Sequence, residues 1–65
     1  MNQLKAIRVS KGFTQTQIAE KVGITLRSYQ RYEAGERTPD VYIGQQIAKA
    51  VGSTVDKIFV PQTVI

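Results

Sequence analysis

The sequence predicts a single all-α domain made of five short helices. Helical segments follow one another along most of the 65 residues, with no credible pair of strands before the last few. Glycines and one proline separate the segments, where they end a helix or prevent its continuation. Threonine–glutamine and serine–aspartate pairs at capping-box spacing mark two of the helix starts. A chain of this length makes one small domain with a modest core.

The first two helices are predicted over residues 2–11 and 15–22. The second begins at a capping box, in which the Thr14 hydroxyl accepts a hydrogen bond from the backbone N–H of Gln17 and the Gln17 side chain accepts one from Thr14. Gly23 then ends the second helix, because glycine readily adopts the left-handed conformation of a helix C-terminus.

The third and fourth helices follow at similar spacing. Thr25 caps the third, which is predicted to end at Ala34, and residues 40–51 form the fourth after Pro39. Gly44 lies inside the fourth helix at a cost of about 1 kcal/mol relative to alanine. Such a glycine predicts close packing against another helix.

The fifth helix is short. A capping box of Ser53 and Asp56 is predicted to open it, and it runs through Phe59. Residues 1–59 are therefore predicted to form the domain. Residues 60–65 make an apolar C-terminal tail, which could serve in dimerisation or fold back on its own core.

Composition limits the functions that this chain can have. Nine Lys and Arg against five Asp and Glu give a net charge of +4, which favours a polyanionic partner. Cysteine and histidine are absent, and the carboxylates are scattered, so we expect no enzyme activity, no metal site and no cofactor. No small-molecule ligand is evident. No apolar run is long enough to span a membrane and no signal peptide is recognisable, so we expect no membrane partner and a cytoplasmic protein.

The second and third helices and the tight turn at Gly23 together form a helix-turn-helix. The surrounding segments KAIRVSKGFTQTQIAEKVGITLRSYQRYEAGERTPD and AKAVGSTVDKIF resemble the Cro/C1-type (XRE) family of phage and bacterial repressors. The resemblance covers nearly the whole chain up to Phe59 and implies a lambda-repressor-like DNA-binding domain. It is carried by Arg8, Gly12-Phe13-Thr14-Gln15, Ile18-Ala19, Gly23-Ile24, Glu33, Gly35 and Pro39.

The resemblance makes the third helix the recognition helix, which lies in the major groove of double-stranded DNA. The candidates for base contacts are then Leu26, Arg27, Gln30 and Arg31. Arginine can donate to both O6 and N7 of guanine, and glutamine can pair with adenine. Leu26 departs from the polar residue frequent at its position and could pack against a thymine methyl. Without the resemblance, these side chains would be read as an ordinary solvated helix face.

Phosphate contacts are expected around the same two helices. Gln15 opens the second helix, whose free N–H groups attract anions, and the family uses this position to hold the DNA backbone. Thr14 is a cap first and a phosphate contact second. Ser28, Tyr32 and Arg37 complete the candidates, the tyrosine through its hydroxyl and the arginine from the loop after the recognition helix.

The resemblance also implies a structural role for Arg8 and Glu33. In the family these positions form a partly buried ion pair that ties the first helix to the end of the third. We expect the pair to orient the recognition helix rather than to read bases.

The expected function is a sequence-specific transcriptional regulator, a repressor that binds a pseudo-palindromic operator as a homodimer. Dimer contacts are expected from Phe59, Val60, Val64 and Ile65. The alternative is a protein-interaction module, antitoxin-like or accessory, whose helix-turn-helix no longer reads bases. Acidic residues on the recognition face would favour that alternative, but this face is basic until Glu33.

Overall fold

The protein is all-α over residues 3–59, which a computed structural model describes apart from the side chain of Asp56. The segments are α1 (Leu4–Ser10), α2 (Gln15–Val22), α3 (Leu26–Ala34), α4 (Val41–Ala50) and α5 (Val55–Ile58). The all-α class is confirmed, whereas the predicted count of five helices is not supported. Four helices have seven to ten residues, and α5 is a single turn of four.

Helix α2 has the predicted bounds because both of its ends are fixed by local hydrogen bonds. The Gln17 N–H donates to Thr14 Oγ1 at 3.1 Å, and the Thr14 N–H donates to Gln17 Oε1 at 2.8 Å, so the capping box is complete. At the other end, Gly23 has φ +83° and its N–H donates to the Ala19 carbonyl at 2.9 Å. These bonds satisfy backbone groups that a helix leaves open at its ends.

The capping box predicted at Ser53 and Asp56 is wrong. The cap of α5 is Thr54, whose Oγ1 accepts from the Lys57 N–H at 3.3 Å. The Ser53 N–H instead donates to the Ala48 carbonyl at 2.8 Å, so Ser53 belongs to the end of α4. Two helix ends compete for the same few residues here, and the closing turn of α4 takes the serine.

The core is one cluster in which α2 packs against both α3 and α4, and α4 packs against α5. Tyr29, on α3, is the largest fully buried side chain of this cluster. The buried apolar residues are Leu4, Ile18, Ala19, Tyr29, Ile47, Ala48, Val51 and Ile58. Every described helix therefore contributes to one core, and the placement of each depends on the others.

Arg8 and Glu33 form an ion pair that joins α1 to α3. Arg8 Nε donates to Glu33 Oε2 at 2.8 Å, and Arg8 Nη2 donates to Glu33 Oε1 at 3.0 Å, so the pair is bidentate. A third bond runs from Arg8 Nη1 to the Phe13 carbonyl at 2.7 Å. Both side chains belong to residues only 8% exposed. Bidentate geometry of this kind fixes orientation as well as supplying attraction.

The pair stays ionised because each partner favours the charged form of the other. Burial alone would raise the pKa of the Glu33 carboxyl, but the Arg8 guanidinium, the neighbouring Tyr29 hydroxyl and the hydrogen bond from Gln15 together outweigh it, and the pKa is lowered. The hydrogen bond to Glu33 likewise raises the pKa of the Arg8 guanidinium against the opposing effect of burial. The stability that the carboxylate contributes is thus present at neutral pH.

Close helix packing at Gly44, which the sequence predicts, is not found. A Cβ added to Gly44 would lie 3.9 Å from Pro39 Cγ and 4.0 Å from Phe59 Cε2, which is ordinary van der Waals contact. Gly44 also has a normal helical backbone conformation, with no positive φ. The site therefore has room for a methyl group.

We predict that Gly44→Ala stabilises the protein by about 1 kcal/mol, through helix propensity and added apolar contact. For a domain of this size, that gain raises the melting temperature by about 4–8 °C. Gly23→Ala is the matched control, because φ at Gly23 is +83° and a Cβ is strained there. It should lower the melting temperature in the same thermal scan. A lower melting temperature for Gly44→Ala would contradict the space found around Gly44.

We predict that Glu33→Gln lowers the free energy of unfolding at pH 7 by about 3–5 kcal/mol, because it leaves the Arg8 charge buried without its partner. The folded-state pKa of Glu33 lies below its ordinary value of 4.5. The stability that the ionised Glu33 carboxylate contributes is therefore fully present above that value and is lost as the pH falls through the folded-state pKa.

Urea unfolding at several pH values would measure both effects. Glu36→Gln is the control for the loss of one charge, because Glu36 is exposed. Between pH 6 and pH 3, about three units around the ordinary pKa of a glutamate, the wild type and this control should lose more stability than Glu33→Gln does. Parallel pH profiles for all three proteins would contradict the prediction.

Candidate nucleic-acid interface

The turn between α2 and α3 fixes where α3 begins relative to α2. The Ile24 N–H donates to the Ala19 carbonyl at 3.1 Å and closes the end of α2. Thr25 then caps α3, with its Oγ1 accepting from the Ser28 N–H at 3.1 Å. The backbone therefore reverses over Gly23 and Ile24, and the helix-turn-helix predicted from the sequence is present.

Helix α3 buries one face and exposes the other. Tyr29 and Glu33 are buried. The four candidates for base contacts are all exposed: Leu26, Arg27, Gln30 and Arg31. Leu26 is one of the few large apolar side chains that the described residues leave exposed, at 39%. The helix thus presents an apolar residue, two guanidinium groups and an amide together.

A shallow depression runs along this exposed face. Arg27, Gln30 and Arg31 line it together with Ala34 and Glu36. The Glu36 N–H donates to the Arg31 carbonyl at 3.0 Å, which places Glu36 directly after the helix end. Among the described residues, Arg8 and Glu33 are the only side chains joined in a salt bridge, so both arginines of the depression are available to an anion.

Gln15 connects the start of α2 with two parts of α3. Its Nε2 donates to Glu33 Oε1 at 2.9 Å, and its Oε1 accepts from Gln30 Nε2 at 3.2 Å. The sequence singled out these residues separately and missed their connection. No sequence signal could have supplied it, because the bonds span 18 and 15 residues and depend on how α2 meets α3.

The other candidates for phosphate contacts differ in how far their side chains are exposed. Thr14 is exposed beside its capping bonds, and Arg37 is exposed in the loop before α4. Ser28 is half-buried, and its Oγ accepts from Thr25 Oγ1 at 3.0 Å. Tyr32 is half-buried and packs against the core. A phosphate would meet Thr14 and Arg37 with the least rearrangement.

Tyr29 lies in the core, on the face of α3 opposite the exposed candidates for base contacts. Burial, and after it the neighbouring Glu33 carboxylate, raise the pKa of its phenol, so the side chain stays neutral. Its hydroxyl forms no hydrogen bond of good geometry with any described residue. Tyr29 therefore acts as core, as the sequence indicates.

Not every basic residue is free for an anion. The Lys21 ammonium lies 4.6 Å from the centroid of the Phe13 ring, a cation–π contact on the outer face of α2. In the part of the chain that the structure describes, no cluster of residues could hold a metal ion. None of the described helices is both long enough and apolar enough to cross a membrane.

The candidates for dimer contacts are described only in part. Phe59 is half-buried and packs against the core, with its ring near Gly44. Val60, Val64 and Ile65 lie outside the described residues.

Comparison with known proteins agrees with this geometry. The model of a family described as Helix-turn-helix matches residues 4–58. Over 54 residues, the chain is 35% identical to the SPbeta prophage-derived uncharacterized HTH-type transcriptional regulator YonR of Bacillus subtilis (strain 168), a match covering 83% of this chain and 50% of that protein.

Two further relatives extend the match. Over 57 residues, the chain is 40% identical to the cryptic phage CTXphi transcriptional repressor RstR of Vibrio cholerae serotype O1, covering 88% of this chain and 47% of that protein. Over 54 residues, it is 33% identical to an uncharacterized HTH-type transcriptional regulator of Methanothermobacter thermautotrophicus, covering 82% of this chain and 78% of that protein. The chain spans about half the length of YonR and RstR. With the helix-turn-helix and the exposed face of α3, these matches lead to one conclusion: the chain belongs to the Cro/C1-type (XRE) family of DNA-binding helix-turn-helix transcriptional regulators.

Proposed function

We propose that the protein is a sequence-specific regulator, a repressor, that places α3 in the major groove of an operator. The observation that carries this proposal is the outward face of α3, where Leu26, Arg27, Gln30 and Arg31 are exposed together above a buried tyrosine. Two arginines one turn apart can each donate to O6 and N7 of a guanine, and Leu26 can pack against a thymine methyl. One of the relatives, RstR, is named as a phage transcriptional repressor.

Backbone contacts complete the proposal. Gln15 opens α2, and the amide keeps one N–H for a phosphate after donating the other to Glu33. The further candidates for such contacts are Thr14, Ser28, Tyr32 and Arg37. Such contacts fix the position of the protein on the duplex and make binding dependent on salt, but they carry no sequence information. Base contacts from α3 supply the specificity.

We further propose that the protein binds a pseudo-palindrome as a homodimer with half-sites about 34 Å apart. A single module buries little surface on DNA and gives limited specificity. Apolar surface supports a second protein contact: Val41 and Tyr42, at the start of α4, are 76% and 67% exposed. Val41 lies one turn before Gly44, close to which the Phe59 ring packs. In the sequence, Phe59 is followed by the apolar residues Val60, Val64 and Ile65, which are the further candidates for dimer contacts.

We predict that Arg27→Ala relaxes the base preference of the protein at defined operator positions. The wild type and the variant would each select from a random duplex pool at about 150 mM salt, where nonspecific attraction is weakened. We expect the wild type to enrich an inverted repeat. The variant should lose about 5- to 150-fold of discrimination at the positions that Arg27 reads.

Lys49→Ala is the control, because it removes one exposed positive charge outside α2 and α3. It should leave every base preference unchanged. If the wild type enriched no sequence and bound every duplex with the same salt dependence, the regulator proposal would fail and the protein-interaction module would take its place.

We predict that replacing Val64 and Ile65 with aspartate converts the dimer into a monomer. Affinity for the full operator should then fall by about 100-fold or more, because the two modules no longer act together, while affinity for one half-site stays the same. Sedimentation velocity would measure the oligomeric state at about micromolar concentration, at which a dimer of useful affinity is populated. Titrations of full and half operators would measure the two affinities. Val9→Asp, at an exposed valine of α1, is the control. A wild type that sediments as a monomer would refute the homodimer.

A further inference from the structure

A chain of hydrogen bonds runs from the buried ion pair to the exposed face of α3. Arg8 donates to both oxygens of Glu33, at 2.8 and 3.0 Å. Gln15 Nε2 donates to Glu33 Oε1 at 2.9 Å, and Gln30 Nε2 donates to Gln15 Oε1 at 3.2 Å. Gln15 is half-buried and Gln30 is exposed. The amide of Gln30 is therefore connected to the core through two other side chains.

Glu33 dictates the direction of every bond in this chain. An ionised carboxylate can only accept hydrogen bonds. Gln15 must therefore turn its NH₂ group toward Glu33, and its carbonyl oxygen then faces Gln30. Gln30 can reach that oxygen only by donating. The orientation of both amides thus follows from chemistry, although oxygen and nitrogen of an amide are similar in size and shape.

This direction decides what Gln30 offers to a base. Its amide has two N–H groups and one carbonyl oxygen, and one N–H is engaged with Gln15. One donor and one acceptor remain. In the major groove, adenine presents the N6 amino donor and the N7 acceptor, which match this pair at both positions, whereas guanine presents two acceptors, O6 and N7. A fixed Gln30 amide therefore fits adenine better than guanine.

We propose that Gln15 is a positioning residue that fixes the amide of Gln30 and thereby makes Gln30 select adenine in the operator. This inference rests on the proposed function and deepens it. Without Gln15, the Gln30 amide is free to rotate and to offer both N–H groups to the acceptors of guanine. The second N–H of Gln15 stays available for a phosphate, so one side chain serves the backbone contact and the base preference together.

The experiment compares the wild type with Gln15→Met, Gln30→Met and the control Gln45→Met, which replaces an exposed glutamine of α4. Each protein is titrated against the selected operator and its single-base variants. Gln30→Met identifies the position that Gln30 reads. There the wild type should prefer adenine over guanine by about 5- to 150-fold. Gln15→Met should reduce that preference several-fold, and Gln45→Met should leave it unchanged.

A purely structural or phosphate-binding role for Gln15 gives a different result. Gln15→Met would then weaken binding by the same factor whichever base occupies the position, and this outcome would overturn the inference while leaving the regulator proposal intact. A preference of Gln30 for a base other than adenine would also overturn it. A wild type that enriches no operator would refute the proposed function and the inference with it.

A measurement on the free protein tests the hydrogen bond without DNA. The side-chain amide of Gln30 should give ¹H–¹⁵N signals displaced from those of the exposed Gln45, with one proton slowed in its exchange with water. In Gln15→Met, the Gln30 signals should move to the values of an exposed glutamine. Gln30 signals that stay unchanged in Gln15→Met would overturn the inference.

Discussion

The position of α3 depends on the bidentate ion pair between Arg8 and Glu33. Three helices meet at it: Arg8 lies on α1, Glu33 lies near the end of α3, and Gln15, at the start of α2, donates to the same carboxylate. Arg8 also holds the Phe13 carbonyl in the segment between α1 and α2. Apolar burial is not directional. Burial of Tyr29 turns one face of α3 toward the core, and the directions of these hydrogen bonds add a fixed geometry at the Glu33 end of the helix.

In the proposed function, this arrangement assigns folding and DNA recognition to opposite faces of α3. Tyr29 and Glu33 give α3 its place in the core, and the exposed residues between and beside them contribute little to it. Side chains on the outer face can therefore differ between related regulators without loss of the fold. Gln30 is the exception, because its amide is bonded through Gln15 to the carboxylate that also orients the helix. At this position the requirements of the fold meet those of the proposed base contact.

The sequence predicts those features that depend on neighbouring residues. The bounds of α2 follow from its capping box and Gly23, and the buried role of Tyr29 follows from helical spacing. Prediction from the sequence fails where two local signals compete, as at Ser53. It also fails at Gly44, where the surroundings leave room for a methyl group instead of packing tightly against the glycine. The bonds of Gln15 depend on the angle between α2 and α3, which no local pattern encodes. The Arg8–Glu33 pair was expected from the family resemblance and not from the spacing of the two residues.

The charges of the outer face show how this surface can favour sequence over simple attraction. Arg27 and Arg31 share their depression with the carboxylate of Glu36, which opposes the approach of a phosphate. Attraction to phosphates is the same for every duplex and therefore adds nothing to discrimination. When a carboxylate weakens that attraction, contacts to base edges account for a larger share of the total affinity for a duplex. Such contacts discriminate best when the donors and acceptors have fixed directions, because a freely rotating amide can satisfy more than one base. In the proposed function, the ion pair that holds α3 in place therefore also limits which bases the exposed face of α3 can accept.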